Sequence, residues 1–126
     1  LLSEFEATRI SRPIVNMKLK KDDEVIGISM TEAGRESLLF VTEKGLTLKY
    51  PATEVSATGL KSQGVKAMNV KADDKLIFGA LIPEEGNLVT VSNRGAVKRT
   101  SLDMFEPGAR AQVGSMLYKD FPESLA

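Results

Sequence analysis

The residues in this sequence that could do chemistry are lysines and arginines, and they recur at fixed places. Leu38–Tyr50 reads LLFVTEKGLTLKY and Leu88–Thr100 reads LVTVSNRGAVKRT. Each is an apolar run, a polar tip ending in a basic residue and glycine, then a return run carrying Lys or Arg. Such side chains bind anions, Lys as a point charge and Arg as a planar two-pronged donor. Histidine and cysteine are absent. That removes imidazole bases, thiol nucleophiles, disulfides and nearly every zinc site. The carboxylate pairs Asp22-Asp23 and Asp73-Asp74 lack the extra oxygen ligands of a calcium loop, and read as turn acids that bond nearby backbone. GARAQVG, at 108–114, has glycines but no Lys-Ser/Thr after them, so it is no phosphate loop.

A repeat must position the basic residues. Against PIVNMKLKKDDEVIGI at 13–28, the stretch GVKAMNVKADDKLIFG at 64–79 matches at an offset of 51. Ile14 meets Val65, Met17 meets Met68, Lys20 meets Lys71 and the Asp-Asp pairs coincide. The hairpins follow at an offset of 50, with Leu38 on Leu88, Val41 on Val91 and Gly45 on Gly95. A third copy starts at Val113 and places Met116 on Met68; the three methionines at this position read as core filler. VIGISM (25–30), LIFGALI (76–82), LLFV and LVTV read as short strands. Their unbroken apolar character implies cover on both faces. LTLKY and AVKRT alternate and read as half exposed. Gly45 and Gly95 supply the tight turns, since glycine takes positive φ without strain. No segment sustains a helical period. Strand-rich units of about 50 residues point to an all-β, propeller-like array of antiparallel blades.

The net charge is zero, but its sign alternates with the repeat. Residues 1–21, 37–72 and 88–119 each carry five Lys/Arg against two acids, whereas 22–36 and 73–87 are acidic. Blades stacked side by side would set like segments on like sides, giving a basic stripe, the footprint of a polyanion binder. The competing reading is ordinary solvated charge. The best-placed cations are Lys44, Lys49, Arg94, Lys98 and Arg99 in the hairpins. Lys61, Lys66 and Arg110 lead into the next unit, and Arg9 and Arg12 belong to the first partial unit. If the polyanion is a nucleic acid, phosphates are its accessible charges, and with no base-reading module visible, binding is expected to be largely independent of sequence. Hydrophobic residues make up 42% and charged residues 27%, a composition of soluble globular chains. No apolar stretch reaches the roughly 18 residues of a membrane helix, and the N-terminus has no signal-peptide pattern. The first residue is not Met, and a piece of a longer chain is expected.

ISRPIVNMKLKKDDEVIGI, LLFVTEKGLTLKYPATEV, GVKAMNVKADDKLI and LVTVSNRGAVKRTSLDMF resemble the C-terminal repeats of bacterial type IIA topoisomerase A subunits. The resemblance spans nearly the whole chain. It leans to the topoisomerase IV branch, since the Gln-Arg-Arg-Gly-Gly-Lys-Gly loop of the gyrase branch has no counterpart. It implies a β-pinwheel, a domain of four-stranded antiparallel blades that trade a strand with their neighbours. About two and a half blades would be present, with 1–21 a partial blade, 22–71 and 72–119 blades, and 120–126 the start of another. Open strand edges invite pairing, so blade-edge self-association is expected. The resemblance further implies non-catalytic binding and bending of duplex DNA, which presents DNA to a cleavage core elsewhere in the parent chain. No cofactor or metal is expected in this piece; ATP and Mg would act on other domains or on the ATPase B subunit. The location would be cytoplasmic and chromosome-associated. Tyr50 and Tyr118 lack the setting of a cleavage nucleophile and read as strand residues at a blade surface. The alternative is a propeller-like scaffold for protein–protein interaction.

Overall fold

The computed structural model describes residues 17–31, 36–59 and 62–116. Six strands follow one another: β1 (Ser37–Thr42), β2 (Leu46–Pro51), β3 (Leu76–Ile82), β4 (Asn87–Val91), β5 (Val97–Ser101) and β6 (Ser115–Met116). One antiparallel sheet has the order β3-β1-β2-β6, and β4 and β5 form a second. The first sheet is therefore no contiguous stretch of sequence. Its hairpin β1–β2 is flanked by β3, which lies beyond residue 71, and by β6, from further along still.

The two hairpins are built alike, and their turn chemistry explains why. Gly45 has φ 86° and Gly95 has φ 85°, in the left-handed region. Their N–H groups donate to the Thr42 and Ser92 carbonyls at 2.9 and 3.0 Å. The buried hydroxyls of the same two residues accept from Leu46 N–H at 3.1 Å and Ala96 N–H at 3.0 Å. A single 3-10 turn then ends each hairpin, Ala52–Glu54 after β2 and Leu102–Met104 after β5.

Strand alternation divides the core. Leu38 and Phe40 lie on one face of β1, where they pack with Leu48, Tyr50 and Met68. Leu39, on the other face, packs with Ile82 and Leu102, against Leu88 and Phe105 of the second unit. Cover on both faces is thus found for LLFV. It is not found for LVTV, because Val89 and Val91 are 57% and 52% exposed. The β4–β5 sheet lays Leu88 toward the first sheet and leaves its opposite face open among the described residues.

Three strand-level expectations are corrected. LTLKY is not half exposed: Thr47, Leu48 and Tyr50 are buried, because neighbours cover both faces of the first sheet. Tyr50 is a core residue rather than a surface one, and its hydroxyl donates to the Ala67 carbonyl at 2.9 Å; Tyr118 lies outside the described residues. VIGISM forms no strand, and Val25, Ile26, Ile28 and Met30 are exposed. Its repeat partner β3 gains its ladder from β1, whereas no described strand pairs with 25–30.

The third copy also shifts. Asn69 N–H donates to Gln112 O as Lys18 N–H donates to Ser62 O. Gly114 (φ 90°) lies near Met68 Cε as Gly64 (φ 78°) lies near Met17 Cε. The third copy is thus in register with Gly64 at Gly114, and Met116 is not the counterpart of Met68. The sequence match followed residue type, whereas the backbone geometry follows the left-handed glycine.

The acidic turn before β3 holds the first hairpin in place. Asp74 Oδ1 accepts from Lys44 N–H at 3.0 Å and from Lys75 N–H at 2.9 Å. Asp23 accepts from Glu24 N–H in the same way one unit earlier. The turn-acid reading therefore has a physical basis at both pairs. Asp74→Ala strands two donors, and is expected to cost about 1.5–3 kcal/mol, read as a lower urea midpoint.

Candidate nucleic-acid interface

Seven of the ten basic candidates fall within the described residues; Arg9, Arg12 and Lys61 lie outside them. The structure sorts the seven by what each side chain already does. Lys66, Arg94 and Arg99 are exposed, whereas Lys44, Lys49, Lys98 and Arg110 are half-buried.

Lys49 pairs across from Leu39 in the β1–β2 register, so it faces the seam between the two sheets. Its ammonium donates to the Leu102 carbonyl at 3.1 Å, at the 3-10 turn of the second unit. Lys98 approaches the same seam from β5. The two lysines line a cavity of about 350 Å³ with Thr47, Thr100, Phe105 and Glu106. Both were expected to face outward as basic residues of the hairpins. The seam reverses that, because each sheet has a neighbour on the face that carries them.

Arg110 works as a strap. Its guanidinium donates to the Lys66 carbonyl at 2.8 Å, and its N–H donates to Glu54 Oε2 at 2.7 Å. Gly108 N–H to Lys49 O ties the same segment to β2, and Ala111 N–H to Ala67 O ties it to the stretch that carries Lys66. Beneath it, burial pushes the Tyr50 phenol above its ordinary pKa; Arg110 opposes that shift and Glu54 adds to it.

Lys44 and Arg94 occupy the same place in their hairpins, one residue before the left-handed glycine. The Lys44 ammonium bonds the Asp73 carboxylate. That hydrogen bond is the main cause raising the Lys44 pKa and lowering that of Asp73. A second pair, Lys75–Glu43 at 3.2 Å, crosses beside it in the opposite sense. At the other end of β2, Lys66 is exposed and its ammonium donates to Asn69 Oδ1 at 3.2 Å. Six residues of strand separate the two ends, roughly 20 Å at 3.3 Å per residue. The cations therefore form two clusters, at the hairpin tips and at the strand bases. The recurring hydroxyls of Thr42 and Ser92 escaped the sequence reading; their signal was a short polar residue three positions before each turn glycine.

The profile of the DNA gyrase C-terminal β-propeller domain matches residues 1–32, 36–83 and 86–122. The A subunit of DNA topoisomerase 4 from Staphylococcus epidermidis is 35% identical over 118 residues, which is 94% of this chain and 15% of that protein. Its Staphylococcus aureus namesake is 32% identical over 120 residues, 95% of this chain and 15% of its own length. The chain thus spans about 15% of the length of these curated relatives. Among solved structures, the C-terminal domain of a DNA topoisomerase IV superposes with a TM-score of 0.85 at 36% identity, over 98% of this chain and 39% of that one. A DNA gyrase A C-terminal domain shares the fold at a TM-score of 0.61 and 23% identity, over 73% of this chain and 32% of that one. No helix among the described residues is long and apolar enough to cross a membrane. The chain belongs to the DNA gyrase A C-terminal β-propeller family, the C-terminal domains of type IIA topoisomerase A subunits, and is similar there to the topoisomerase IV members.

Proposed function

We propose that this chain is a non-catalytic, largely sequence-independent binder of duplex DNA. Within a longer topoisomerase chain it would bend a DNA segment and present it to a cleavage core. The ATP and Mg chemistry would belong to other domains and to a B subunit. A cytoplasmic, chromosome-associated location goes with that role. The observation that carries the reading is the repeated hairpin tip. Lys44 and Arg94 are set by turns of the same φ and the same hydrogen bonds, on a fold whose family acts on DNA topology. Arg94, Arg99 and Lys66 are exposed to meet phosphate oxygens.

Duplexes of unrelated sequence should bind with affinities within about tenfold of one another, well below the roughly 10³-fold or greater preference of specific binders. Gel-shift titration of two such duplexes tests this, and a strong preference for one would contradict it. One observation favours the scaffold reading: Val89, Val91 and Val97 form an open apolar face on the β4–β5 sheet. Association between copies of the chain, unaffected by salt and without DNA binding, would select that reading instead.

A further inference from the structure

We propose that Asp73 is a built-in competitor for DNA, holding the Lys44 ammonium that would otherwise contact a phosphate at the tip of the first hairpin. This rests on the DNA-binding reading and names a residue that limits its affinity.

The two acids of the Asp73-Asp74 turn do different work. Asp74 bonds backbone N–H groups, including that of Lys44, so it docks the hairpin tip whatever the lysine side chain does. Asp73 reaches the ammonium instead, and its side chain is 71% exposed. The Lys44 side chain is 43% exposed, so the ion pair lies at the surface where a polyanion could reach it. Lys44 is also the repeat equivalent of Arg94, which is exposed at its own tip. Lys71, Asp74 and Glu43 also act on this pair, but none replaces Asp73 as the hydrogen-bond acceptor of the ammonium.

An exposed ion pair is weak, whereas a duplex carries a dense line of phosphates and releases counterions on binding. DNA therefore displaces Asp73, and the displacement lowers the net affinity. Removing the carboxylate should remove that cost without loosening the fold.

The test is fluorescence anisotropy of a labelled duplex, titrated with the chain at several salt concentrations. Asp73→Asn should bind about two- to five-fold tighter, the worth of an exposed ion pair. Its slope of log K against log salt should stay near the wild-type value, because the same phosphates are contacted. The double variant Lys44→Ala/Asp73→Asn should lose that gain. The urea midpoint of Asp73→Asn should stay at the wild-type value, unlike that of Asp74→Ala. Unchanged affinity in Asp73→Asn overturns the proposal. So does a gain that persists without Lys44, which would show only the loss of a nearby negative charge. A wild-type chain that does not bind DNA overturns the functional reading itself, and the proposal with it.

Discussion

Replacing Lys66 and Arg94 together with glutamate lowers the affinity for duplex DNA by roughly a hundredfold at about 0.1 M salt. Each phosphate contact contributes about 0.9 to the salt exponent, so two lost contacts remove about 1.8 units of log K at that salt, and reversed charge adds repulsion. The salt slope flattens by the same amount. The fold should be unaffected. Lys66 contributes a backbone carbonyl to Arg110, which glutamate retains, and its ammonium bonds only the Asn69 side chain among the contacts described. Arg94 is exposed in the turn between β4 and β5, which backbone bonds of Ser92 and Gly95 hold. The pair tests both cation clusters at once, and anisotropy together with circular dichroism separates lost binding from lost structure. Arg99 is a poorer choice, since its repeat equivalent Lys49 serves the seam rather than the rim.

Gly114→Ala is expected to be the most damaging single substitution on the repeat framework. A Cβ there would lie 2.3 Å from the Thr47 carbonyl oxygen and 2.9 Å from its carbon, at a φ of 90°. Neither atom is the end of a flexible side chain. Thr47 is paired with Ser115 in the β2–β6 ladder, and its hydroxyl donates to the Ser115 carbonyl at 3.2 Å. The backbone must move apart there, and the edge strand goes with it. The positive φ alone costs an alanine about 1–2 kcal/mol, and the clash raises the total to about 3 kcal/mol or more. At Gly64 the approaching atom is the Met17 methyl at 2.9 Å, which can turn aside, so Gly64→Ala should cost less. At Gly59 nothing lies within 4 Å, and Gly59→Ala should stay within about 0.5 kcal/mol of wild type. The three urea midpoints rank the positions.

What the sequence disclosed followed from how local each feature is. The hairpins were legible because Gly45 and Gly95 determine their own turns, and the apolar runs beside them carry the strand period. The acidic turns were legible because Asp bonds backbone within a residue or two. The pairing of β3 with β1 was not legible, since nothing near Leu76 names a partner some forty residues back. That one non-local fact decides much of what local reasoning missed. It helps bury both faces of LTLKY, and its absence for 25–30 leaves VIGISM without a ladder. Among the site residues, chemistry was legible and orientation was not. Lys49 and Arg94 look alike as basic residues of a hairpin, yet one bonds a carbonyl in the seam and the other is exposed. Only the stacking of one sheet on the next distinguishes them.

The central claim is that this neutral chain binds DNA through phosphates arrayed along its basic tips and strand bases. The salt dependence of duplex binding tests it most directly. If about six phosphates are contacted, log K falls with log salt at a slope of roughly −5. A slope near zero, or no binding at low salt, would contradict the account.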